Sequence, residues 1–108
     1  KKFSGKDSLK LSTTAIQNTA VGTSSLRDNT TGTENTAVGF NSLVQSTTGS
    51  SNTSIGKESL FSNTTADNNT AVGVEALKDN TTGTHNTAMG RQASQNNTTA
   101  DGNTAYGH

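Results

Sequence analysis

Apolar positions in this chain return at a period of 17 residues. Val21, Val38, Ile55, Val72, Met89 and Tyr106 form one series; Leu26, Leu43, Leu60 and Leu77 form a second, which Ser94 breaks. The first series is embedded in a pentapeptide beginning at Asn18, Asn35, Asn52, Asn69, Asn86 and Asn103, with N-T-A-V-G as its commonest form. The whole unit reads N-T-A-V-G-x-x-S/A-L-x-x-N-T-T-G/A-x-x. Residues 1–17 join the same register, since Gly5, Ser8, Leu9, Thr13, Thr14 and Ala15 fall on the fifth, eighth, ninth and thirteenth to fifteenth positions. A fixed period of this size means stacked structural units. The chain is therefore one repeat domain, 1–108. It comprises a degenerate first coil (1–17), regular coils (18–102) and the start of a further coil (103–108).

Residue types decide between helical and β units. Asn, Thr, Ser and Gly dominate the variable ends and compete with helix formation, and no apolar pattern at helical spacing outlasts a turn. Thr and Val suit a pleated surface, while Gly and the N-T-T-G run supply corners. The pattern predicts an all-β, parallel β-solenoid with one 17-residue coil per repeat. Six coils spaced at strand separation give a rod of about 28 Å.

Alternation along the T-A-V strand sends Ala and Val to opposite faces. The expectation is a thin Val/Leu core, with the small Ala rank outside allowing a second chain to approach closely. Composition points the same way. Only 26% of the residues are hydrophobic and there is no Cys, so a domain of this size needs stacking and association between chains to be stable. Net charge is zero, which argues against disorder driven by charge repulsion. Lys1, Lys2, Lys6 and Lys10 hold half of the basic residues, and no basic stripe suggests nucleic acid. No segment is long and apolar enough for a membrane-spanning helix.

The N-T-A-V-G-x-x-S/A-L motif, found from Gly5 to Gly107, resembles the head repeats of YadA-like trimeric autotransporter adhesins. It is also similar to the β-roll repeats of phage-type tail fibres. That resemblance implies a left-handed parallel β-roll, three identical chains side by side, and an extracellular location on a bacterial cell surface or virion. The 17-residue unit is longer than the usual adhesin head repeat, and its N-T-T-G corner looks like an insertion.

Candidate chemistry is sparse. The first-position Asn residues (Asn18, Asn35, Asn52, Asn69, Asn86 and Asn103) are expected to form a structural ladder, bonding to one another and to corner backbone groups. Regular Thr ranks raise the idea of an ice-binding face. Adjacent Thr pairs such as Thr30-Thr31 weigh against it, because neighbouring strand residues cannot face the same way. Seven N-x-S/T sites (Asn29, Asn52, Asn63, Asn68, Asn80, Asn96 and Asn97) arise from the repeat itself. Asp28, Asp67, Asp79 and Asp101 read as solvated corner charges, and His85 and His108 lack companions for a metal or a triad. No catalytic, cofactor or metal residues are expected. Phe40, Val44 and Phe61, in neighbouring units, are the candidates for surface recognition or packing between protomers. The function expected is a non-catalytic, rigid segment of an extracellular fibre or adhesin head, with itself as partner and a host surface or glycan as target. End-to-end polymerisation into a surface filament and ice or glycan binding are the alternatives.

Overall fold

The computed structural model describes residues 2–108, with side chains from Gly5 onward; Lys1 and the side chains of Lys2 and its two neighbours lie outside that description. Seven three-residue strands form a single parallel sheet in sequence order: β1 (Lys2–Ser4), β2 (Thr19–Val21), β3 (Thr36–Val38), β4 (Thr53–Ile55), β5 (Thr70–Val72), β6 (Thr87–Met89) and β7 (Thr104–Tyr106). Every pairing is offset by one repeat, as in Thr36↔Thr53 and Val72↔Met89. There is no helix among the described residues. The fold is thus a parallel β-solenoid of 17-residue coils, 32 × 21 × 16 Å.

Hydrogen bonding between coils continues outside the strands. At the ninth position, Leu26 N donates to Ser42 O, Leu43 N to Ser59 O and Leu60 N to Ala76 O, at 3.0–3.1 Å. Each coil therefore satisfies its backbone against the next one around much of its circumference, which is how so short a strand is sustained.

Six positions per coil point inward: the first, third, eighth, ninth, twelfth and fifteenth. Leu26, Leu43, Leu60 and Leu77 fill the centre and are fully buried. Opposite them stand Ala20, Ala37, Ala71 and Ala88, also fully buried. The expected Val/Leu core is therefore corrected to an Ala/Leu core. The Leu rank already occupies the narrow interior, so the strand facing it has room only for Ala (Ser54 in the fourth coil), and the larger Val, Ile, Met and Tyr turn outward.

Two backbone features keep the coils tight. The fifth-position Gly residues have φ of 117–134° from Gly5 to Gly90, a region that L-residues avoid. A Cβ on Gly56 would lie 2.5 Å from Gly73 O, which is backbone and cannot move aside. More unusually, the seventh, ninth and seventeenth positions are left-handed at residues that, Gly102 apart, are not glycine. Leu9, Leu26, Leu43, Leu60 and Leu77 have φ of 47–52°. Each such residue costs about 1–2 kcal/mol relative to right-handed geometry, which the burial of the Leu side chain offsets.

Candidate interaction surface

The inward Asn residues build the frame behind the surface. Asn35 Nδ2 donates to Gly49 O at 2.8 Å, and Asn35 Oδ1 accepts from Asn52 N at 2.9 Å. Asn18, Asn52, Asn69 and Asn86 repeat this pair of bonds. The first-position rank is a ladder through the backbone: each side chain joins its own corner to the next coil's strand. Asn103 joins the series only through its backbone, its N–H donating to Asn86 Oδ1, while its side chain is exposed. Direct side-chain bonding occurs instead in the twelfth column, where Asn97 Nδ2 donates to Asn80 Oδ1 (2.8 Å) and Asn80 Nδ2 to Asn63 Oδ1 (3.1 Å). The sequence hinted at this column only by its frequent Asn.

With Ala inside, the second and fourth positions share the outer face of the sheet. Thr19, Thr36, Thr53, Thr70 and Thr87 are half-buried there. Beside them runs Val21, Val38, Ile55, Val72, Met89 and Tyr106, of which Tyr106 is 74% exposed and Val21 42%. Neither rank carries a charge between Thr19 and Tyr106. Past the glycine corner, Phe40 (48% exposed) and Val74 (40%) extend the apolar surface. One side of the rod is therefore an apolar, hydroxyl-bearing strip along its length; the exposed large apolar residues off it are Leu11 and Ile16 of the first coil.

The three residues singled out from the sequence do not make one patch. Phe40 belongs to the edge of this strip. Val44 is only 2% exposed, and Phe61 is half-buried on the next side of the coil with Lys78 Nζ 5.9 Å from its ring centre. Arg27, Phe61 and Lys78 share Val44's position in their coils, and all lie half-buried. The short Val has no distal end to reach solvent, so it offers no recognition surface.

Elsewhere the groups are occupied structurally. The thirteenth-position Thr hydroxyls bond to the next coil, as Thr30 Oγ1 does to Thr47 O at 3.1 Å, whereas the fourteenth-position Thr residues are exposed. Lys78 bridges Glu58 (2.9 Å) and Glu75 (3.6 Å), and Arg27 pairs with Asp28 at 2.8 Å. The hydrogen bond from Gln92, aided by Lys78, holds the Glu75 carboxyl below its ordinary range. Asn29, Asn52, Asn63 and Asn80 are buried, so four of the N-x-S/T sites present no accessible amide. Among the described residues no three acidic, His or Cys groups converge as a metal site. A shallow concavity of about 700 Å³ lies over the last coil, lined by Gln92, Asn97, Asn103 and His108 among others. Its walls carry the same kinds of polar groups that bond coil to coil lower in the rod. No helix is long and apolar enough to cross a membrane among the described residues.

No protein-family model matches the chain, and the searches of curated proteins and solved structures gave no significant match.

Proposed function

We propose that the chain is a non-catalytic structural segment of an extracellular fibre or adhesin head, in which identical parallel chains, three by the resemblance noted above, pack through the Thr/Val strip. The supporting observation is the uncharged apolar column from Val21 to Tyr106, unbroken over six coils on one side. Covering a half-exposed Val or Ile contributes about 1 kcal/mol, and the column supplies one such residue per coil from every chain. Rigidity follows from the coil-to-coil hydrogen bonding. The likeness to adhesin-head and tail-fibre repeats supports reading this rod as an extracellular one, on a bacterial cell surface or a virion.

Multi-angle light scattering on the purified chain tests the proposal, together with the double variant Val38→Asp/Val72→Asp. The wild type is expected to be oligomeric and the variant monomeric, with the β-type circular dichroism retained because both side chains lie outside the core. A monomeric wild type at tens of micromolar refutes the reading.

A further inference from the structure

Resting on that reading, a second pattern bears on how the chains align. On one side the strip ends at the sixth position, just past the glycine corner; on the other it ends at the exposed, left-handed seventeenth position, with the sixteenth next to it at that edge. The sixth position carries Lys57 in the fourth coil and Arg91 in the sixth; the sixteenth carries Asp67 and Asp101 in the same coils. The coils between and before them have Phe40 with Ser50, Val74 with Thr84 and Thr23 with Thr33. Base and acid thus occur together, on opposite edges of the strip.

Within one chain these charges do not meet. No ion pair joins Lys57, Arg91, Asp67 or Asp101 to an opposite charge among the described residues. Lys57 and Arg91 are exposed, and Arg91 Nη1 lies 3.4 Å from His108 Nε2. Each Asp is fixed by its backbone neighbour: Asp67 Oδ1 accepts from Ser50 N (2.8 Å) and Asp101 Oδ1 from Thr84 N (2.7 Å). Ser50 and Thr84 lead into β4 and β6, the strands that Lys57 and Arg91 follow. These bonds therefore draw each carboxylate toward the level of its base and leave the second oxygen available.

Rotation about an axis parallel to the coil stack keeps every coil at its own height and brings the sixth-position edge of one chain against the sixteenth-position edge of the next. An antiparallel packing on the same strip lays base edge on base edge. We infer that Lys57 and Arg91 pair with Asp67 and Asp101 of the partner subunit, and that these pairs fix the chains parallel and in register. The occupant of the strip is then a second copy of this chain. Lys6, opposite Ile16, takes no part, and Glu34 is bonded at its own edge by Ser51 (3.4 Å).

One exposed pair shifts an equilibrium by about two- to fivefold. Repeated at every interface of a three-chain ring, its reversal weakens association by roughly ten- to a hundredfold at low salt. Sedimentation equilibrium on the full chain tests this. Lys57→Asp and Asp67→Lys are each expected to show that loss, and the double variant Lys57→Asp/Asp67→Lys to recover to within about threefold of wild type. A single spin label on Thr23→Cys, clean because the chain has no Cys, reports alignment: parallel chains place the labels close together, antiparallel ones several coils apart. Single reversals without effect or a double variant without recovery overturn the pairing while leaving the parallel fibre intact; distant labels overturn the parallel packing together with the pairing. A monomeric wild type removes the fibre reading and the pairing with it. Circular dichroism on each variant separates lost association from lost folding.

Discussion

Replacing Ser46 by Asn should stabilise the rod. In the twelfth column, Asn97, Asn80 and Asn63 are linked side chain to side chain, and each also donates to the fifteenth-position carbonyl of its own coil. The series stops at the third coil, where Ser46 is fully buried and its Oγ has no partner among the described residues. One coil below, the fully buried Asn29 Oδ1 is likewise without one. An Asn at 46 places Nδ2 to donate to Asn29 Oδ1 and Gly49 O, and Oδ1 to accept from Asn63 Nδ2. The space is present, because Gly49 stands beside it as Gly32 and Gly83 stand beside Asn29 and Asn80. Completing these bonds adds about 0.5–1.5 kcal/mol each, and it satisfies an acceptor whose isolation costs about 1–3 kcal/mol. Ordering the longer side chain takes back about 1 kcal/mol. A net gain of about 2 kcal/mol corresponds to a rise in Tm of roughly 8–16 °C for a domain of this size, measured at one fixed protein concentration because association is coupled to folding. Ser46→Ala is the control, expected within about 0.5 kcal/mol of wild type because it removes a hydroxyl that has no partner. A Ser46→Asn protein no more stable than wild type, beside a neutral Ser46→Ala, refutes the argument that the column's side-chain bonds contribute to stability.

Two further perturbations probe the backbone. Gly56→Ala forces a Cβ to 2.5 Å from Gly73 O at a φ of 134°; a loss of at least about 3 kcal/mol, seen as a collapse of the urea midpoint, is expected. His85→Gly relieves a left-handed residue (φ 58°) at the position where Gly102 already stands at φ 69°, and should raise stability by up to about 1 kcal/mol in thermal melts.

How far the sequence could be read depended on which property each position exposes. The 17-residue offset of every strand pair follows directly from the pentapeptide, because parallel stacking requires like to pair with like. Which strand face is buried did not follow. Alternation says that Ala and Val part company, and hydrophobicity alone favours Val inside. The outcome turns on the volume left by Leu26 and its equivalents, a distance across the coil that no local pattern contains. Leu at a φ near 50° was equally hidden, since local propensity disfavours it and only stacking compels it. Val44 looked like surface because its position holds Arg27, Phe61 and Lys78 in other coils; those side chains emerge only by their length. The edge charges were visible as residues, but their relation to the strip required knowing where the corners lie.

The left-handed leucines have a consequence for how the rod comes apart. A coil taken alone holds three left-handed positions, a debt of roughly 3–6 kcal/mol, with its coil-to-coil backbone bonds unmade on both faces. Such a coil has no stable existence, so the first stacked pair is the difficult one to form and each later coil adds readily to a finished surface. Disassembly runs in the opposite order. In the isolated 108-residue chain, hydrogen exchange should be fastest in the outermost coils and slowest near β4, with protection falling off coil by coil rather than element by element. The rod behaves in this respect as a one-dimensional crystal, dissolving from its ends.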